Sequence, residues 1–204
     1  MKTNWQNYLS QKDNRVVLVI SHIVLAIILF LFFQFLSFNE ARKGFNFNDP
    51  VLNLFSAIDV SYLTFFITYS FATVGIFIAF RNPIVFVNLI QAYAILTLLR
   101  MFCLFIFPLE APVGIIPLND VFLNSTFYSG RENLKDLFFS GHTATIMLFA
   151  FVFSNKKLKW LYVFGAVTIA ILVTMQHVHY SVDVIFAPIF AFIAVFIQRK
   201  INFQ

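Results

Sequence analysis

The chain has 204 residues, of which 60% are hydrophobic and only 11% charged, with a mean hydropathy of +0.85 and a net charge of +5. Soluble domains carry about 25% charged residues, so this composition excludes an ordinary soluble domain and points to an integral membrane protein the length of one domain. The positive balance fits basic cytoplasmic loops, and no nucleic-acid partner is expected. The single cysteine, Cys103, lies in an apolar run, so no internal disulfide can form and it reads as a small buried hydrophobe.

Residues 1–15 are polar, with Trp5, Tyr8, Leu9 and Lys12 at helical spacing. They suit an amphipathic segment on the membrane surface or a disordered tail. The apolar run over 16–38 is too long for a secretory signal and has no small-residue cleavage pattern after it, so it reads as an uncleaved span. A polar loop over 39–56 follows, then a second span over 57–80. Arg81-Asn82-Pro83 makes a tight connection, because proline disfavours helical geometry in the residue before it. The third span, 84–107, carries Arg100 and closes at Pro108.

The connection over 108–135 is broken by Pro108, Pro112, Gly114, Pro117 and Gly130. Its apolar residues, among them Val113, Ile115 and Ile116, predict that it dips into the interface or packs over the bundle. Three further spans are expected over 136–153, 158–178 and 181–198. The fold class is therefore all-α: a polytopic membrane protein with a six-transmembrane-helix bundle. With the N-terminus inside, the inner segments hold nine basic residues (Lys2, Lys12, Arg15, Arg81, Lys156, Lys157, Lys159, Arg199, Lys200). The outer loops hold four (Arg42, Lys43, Arg131, Lys135). The positive-inside rule then places both termini in the cytoplasm. The start of span four and the turn between spans five and six share the extracytoplasmic face.

Those two places carry the chemistry. His179 and Asp183 are four apart, so on a helix they share a face. A carboxylate on one imidazole nitrogen fixes the tautomer and leaves the other nitrogen basic, the orienter–nucleophile logic of a triad. The pair also suits a structural clamp between spans, although charge near a bilayer is costly and so points to function. Ser140-Gly141-His142-Thr143 stands at a helix start, where exposed N–H groups favour an anion. Ser140 and Thr143 add donors, and His142 suits a general acid. The alternative is a simple N-cap with an interfacial histidine. Arg100, inside a span, needs a partner: a phosphate or lipid headgroup, or else Glu110 or Asp136. His177 has three readings: a phosphate contact, a metal ligand with His179 and Asp183, or cavity lining. His22 reads as structural, and Gln91 and Gln176 as interhelical hydrogen-bonding residues.

Asp136-x-x-Phe-Ser-Gly-His-Thr143 followed by His177-x-His-Tyr-Ser-x-Asp183 resembles the two signature motifs of the sphingomyelin synthase family, a branch of the type-2 phosphatidic acid phosphatase superfamily. The resemblance covers residues 95–190. It implies that His179 is the nucleophile, taking a phospho-headgroup as a phosphohistidine, that Asp183 orients it, and that His142 is the acid–base partner. Arg100, Ser140, Gly141, Thr143, His177, Tyr180 and Asp136 form the expected phosphate- and substrate-binding set. No metal and no cofactor is expected. Residues 1–15 become a cytoplasmic segment, 16–198 the catalytic domain and 199–204 a cytoplasmic tail.

The phosphatase branch places a Lys…Arg-Pro motif before Ser-Gly-His and a Ser-Arg pair ahead of its nucleophile. Here Val173 and Leu172 stand six and seven residues before His179. The pattern favours a transferase moving a headgroup from a phospholipid donor to ceramide or another lipid alcohol, with a lipid phosphate phosphatase as the alternative. Arg100, Arg131 or Lys135 must then supply the phosphate-binding charge. A metal-dependent hydrolase built on His142, His177, His179 and Asp183 and a non-enzymatic lipid carrier are the other readings.

Overall fold

A computed structural model describes residues 4–118 and 133–201. Within them the chain is helical: α1 (Trp5–Ser10), α2 (Lys12–Ala41), α3 (Ser61–Phe80), α4 (Pro83–Ile106), α5 (Gly141–Val152), α6 (Lys156–Met175) and α7 (Ser181–Ile201). Proline at the first helical position and an asparagine cap start α4, with Asn82 Oδ1 accepting from the Ile84 amide at 3.1 Å. Asn155 starts α6 in the same way, accepting from the amides of Lys157 and Leu158.

Among the described residues, α2, α3, α4, α6 and α7 are each long and apolar enough to cross a membrane. The expected fourth span differs. It was expected to begin at residue 136, whereas α5 begins at Gly141 and has 12 residues. At 1.5 Å per residue it is about 18 Å long, against a hydrocarbon core of about 30 Å. Residues 136–140 are drawn out of helical geometry by two contacts. Asp136 pairs with Arg100 of α4, and the Ser140 amide donates to the Asp183 carbonyl of α7 at 3.1 Å.

The helices nevertheless alternate in direction. At one end lie the α2 C-terminus, the α3 N-terminus and both motifs. Gln176 joins α6 to α3 there, its Nε2 donating to Ser61 Oγ at 2.7 Å. At the other end, Trp5 Nε1 donates to the Phe80 carbonyl and Arg199 to the Phe151 carbonyl. α1 and the end of α7 therefore both lie opposite the motifs. The core runs through α4 to α7 and includes Leu96, Ile146, Leu148, Tyr162, Ile169 and Ala191. Cys103 is buried within it. Gln91 bridges α4 to α2 through Ser21 and to α7 through Gln198, as an interhelical residue should. His22 bonds locally, its Nδ1 donating to the Leu18 carbonyl.

The described part of the 108–135 connection packs over the motif end. Leu109 forms a parallel bridge with Phe45, and the Ile116 amide donates to the Gln176 carbonyl.

Candidate functional site

The loop between α6 and α7 is shaped by how α6 ends. Gln176 is its C-cap, and His177 has φ of 56°, in the left-handed region. The His177 amide donates to the Thr174 carbonyl and the Val178 amide to the Val173 carbonyl, both at 3.0 Å. This is a Schellman termination, which usually uses glycine at the position that His177 occupies. A histidine held there is a conformational cost that the surrounding structure has to offset.

Four residues after His177, α7 begins. Asp183 is fully buried and His179 is 2% exposed. Asp183 Oδ2 accepts from the Tyr180 amide at 3.0 Å, half of a capping box, and lies 3.3 Å from His179 Nδ1. An ionised carboxylate can only accept, so Nδ1 carries the proton and Nε2 keeps its lone pair. The two sequence readings of Asp183 are thus both present: one oxygen fixes the helix start and the histidine tautomer together.

α5 starts against this turn. Ser140 Oγ donates to Thr143 Oγ1 at 3.1 Å and places no side-chain cap on the first amides of α5. Those amides are the orphan donors that make a helix N-terminus hospitable to anions. Arg100 lies directly on Gly141: a Cβ added there would sit 1.5 Å from Arg100 Nη1. Glycine at 141 is therefore what lets a guanidinium approach the helix start. Arg100 Nη2 is 2.8 Å from Asp136 Oδ1, a charge contact whose direction does not meet hydrogen-bond geometry. Of the two carboxylates weighed from sequence, Asp136 is the partner.

His142 packs its ring against Phe65, with centroids 6.0 Å apart, and among the described residues its buried Nδ1 has no partner. It lines a cavity of about 320 Å³ with Arg100, Asp136, Gly141, Tyr93 and apolar residues of α2 and α4 such as Phe32 and Leu96. His179 and Arg100 are its electrostatic neighbours. His142, His179, Asp183, Arg100, Ser140, Gly141, Thr143 and Asp136 thus lie together at one end of the bundle.

His177 and Tyr180 sit apart from that group, lining a second pocket of about 650 Å³ beneath the 46–56 and 111–113 loops. Among the described residues no three His, Cys, Asp or Glu side chains are grouped to hold a metal ion. The charge expected of Lys135 is spent on Glu110, 3.0 Å away. The Gly44 amide, with Lys135, holds the Glu110 carboxyl below its usual range. Arg131 lies outside the described residues.

Sequence reasoning missed the supports. Asp49, 132 positions from Ser181, accepts from both the Ser181 amide and hydroxyl. Asp49-Pro50 signals a turn, but nothing in the sequence signals its partner. Glu40 accepts from the amides of Leu134 and Lys135, and Asn39 donates to the Lys135 carbonyl at 2.8 Å. The end of α2 thereby holds the lead into the first motif, in a stretch read as polar loop.

Fold and site together describe an integral membrane protein with a buried His–Asp pair beside an anion-accepting helix start. Residues 135–200, which include both motifs, match the family described as PAP2 superfamily C-terminal. No curated protein matches the chain. The match spans about a third of the chain, and over those residues the chain is similar to the type-2 phosphatidic acid phosphatase superfamily.

Proposed function

We propose that the chain is a membrane lipid phosphotransferase, moving a phospho-headgroup from a phospholipid to a ceramide-like or other lipid alcohol. The observation that carries this reading is the Ser140–Asp183 backbone bond. It holds the His179–Asp183 pair against the uncapped start of α5. His179 Nε2 attacks phosphorus, and the bond from phosphorus to the donor's alcohol oxygen breaks. His142 gives that oxygen a proton. The acceptor hydroxyl then returns a proton to His142 and attacks the phosphohistidine, and the P–N bond breaks.

The α5 amides and Arg100 stabilise the charge on the phosphoryl oxygens. Asp136 holds Arg100 in place. Apolar walls around His142, including Phe32, Phe33 and Phe139, suit a lipid alcohol better than bulk water. α5 completes a six-segment topology, with residues 16–198 as one catalytic domain. The basic end lies in the cytoplasm and the site on the extracytoplasmic face. The second reading, a lipid phosphate phosphatase, shares every step except that water replaces the acceptor, and the superfamily match favours it equally.

Purified protein given labelled donor lipid with and without ceramide separates the two. Labelled ceramide product is expected; phosphate release that ceramide leaves unchanged would reject transfer.

A further inference from the structure

The pocket lined by His177 and Tyr180 is not used by the phosphoryl chemistry above. His177 is 5% exposed, and its Nδ1 lies 3.2 Å from the Val113 carbonyl. A carbonyl can only accept, so Nδ1 carries the proton. In the neutral ring Nε2 is then an acceptor, and among the described residues it is buried without a partner. A buried acceptor left unmatched is costly unless a ligand supplies a donor.

The rest of the lining shows what kind of donor. Among the described residues Asp49 accepts from neutral groups, the amides of Val51, Leu52 and Ser181 and the Ser181 hydroxyl, which solvate its negative charge without cancelling it. Among the described residues the lining contains neither Lys nor Arg, although the chain is basic overall. Phe47, Phe55 and Tyr180 give it aromatic walls. Phe55 meets the His177 ring edge-on at 5.2 Å, and Phe47 meets Tyr180 at 5.3 Å. Aromatic faces and a carboxylate attract a cation. An unmatched acceptor favours a cation that carries N–H.

We propose that this pocket recognises the headgroup of the lipid substrate, and that the headgroup is a primary ammonium of the ethanolamine type rather than a trimethylammonium or a polyol. The assignment rests on the reading of this end of the bundle as a lipid-phosphate site. Tyr180 follows His179 directly and His177 stands two residues before it, so the loop that carries the nucleophile also lines the pocket. A trimethylammonium group would satisfy the charge of Asp49 but has no N–H for His177. A glycerol or inositol headgroup could satisfy His177 but brings no positive charge.

The test is direct binding, which needs no turnover. Detergent-solubilised full-length protein is titrated with phosphoethanolamine, phosphocholine and glycerol phosphate, followed by saturation-transfer NMR. Phosphoethanolamine should bind about tenfold more tightly than either competitor, as one charge-assisted hydrogen bond allows. In His177→Gly, which suits the left-handed backbone, that preference should fall to about twofold or less. If this variant does not fold, His177→Asn also tolerates that backbone and is too short to place an acceptor where Nε2 stands. Equal binding of the three, a preference for phosphocholine or glycerol phosphate, no binding, or a preference that survives in the His177 variant would each overturn the assignment. Turnover in nanodiscs of each lipid is scored separately. Failure there with the binding preference intact rejects the proposed reaction and leaves the pocket assignment standing.

Discussion

α2 and α5 are opposite kinds of helix. α2 has 30 residues, and only 11% of its most apolar window is buried within the protein. α5 has 12 residues, eight of them buried, with α3, α4, α6 and α7 packed around it. α2 is held by its surroundings mainly at its ends and along α4, and the rest of its surface suits lipid. α5 is too short to meet the bilayer on its own terms and is enclosed by the helices that do. What it gives up in length it gains in position, because its uncapped first turn stands beside the His–Asp pair. The difference teaches that the apolar character of a segment here does not say whether it faces lipid or supports chemistry; its partners do.

That contrast can be broken or sharpened by substitution. The largest effect is expected for Asp183→Asn. It leaves an acceptor for the Tyr180 amide but favours the wrong tautomer of His179, so lipid turnover should fall by about 10⁴-fold. Gly141→Ala comes next. Its Cβ would displace the Arg100 guanidinium, lowering turnover by roughly 10²-fold and stability in detergent by about 1–3 kcal/mol.

A smaller effect is expected where loops hold the site. Burial pushes the Asp49 carboxyl up, but hydrogen bonds from the Ser181 amide and hydroxyl and from the Val51 and Leu52 amides outweigh it and leave it below the ordinary carboxylate range. A carboxyl whose folded pKa is lowered contributes stability that is fully present above its unfolded value, near about 3.9. That stability is lost as pH falls through the folded value. Asp49→Asn should therefore cost about 1 kcal/mol at neutral pH and flatten the acid limb of a thermal-melt series. An unchanged acid limb would show that Asp49 does not clamp α7. The smallest effect is expected for Phe30→Leu on α2, where the side chain is 64% exposed. Turnover should be unchanged and stability within about 0.5 kcal/mol. A large loss there would contradict the lipid-facing assignment of α2.

Helix order was legible in the sequence, because hydropathy and the Asn82-Pro83 signal act locally. The start of α5 was not. Hydropathy counts Leu137, Phe138 and Phe139 as span, whereas Asp136 and Ser140 are tied to residues 36 and 43 positions away along the chain. That these motif residues lie near one another was legible from their spacings: four residues for His179 and Asp183, one helix start for Ser140–Thr143. The long-range supports were not legible. Nothing near Asp49 names Ser181, and nothing near Glu40 names Leu134. His177 was open to three readings because its backbone conformation, which turns it into a separate pocket, is set by how α6 ends.

The central claim is that His179 is the attacking group. It is tested most directly by quenching the purified protein during turnover of lipid labelled in its phosphate and mapping the labelled residue. A phosphohistidine mechanism at this site requires an acid-labile, base-stable label on His179 that is absent from His179→Ala. Turnover without any phosphoenzyme, or a label that persists in His179→Ala, would contradict it.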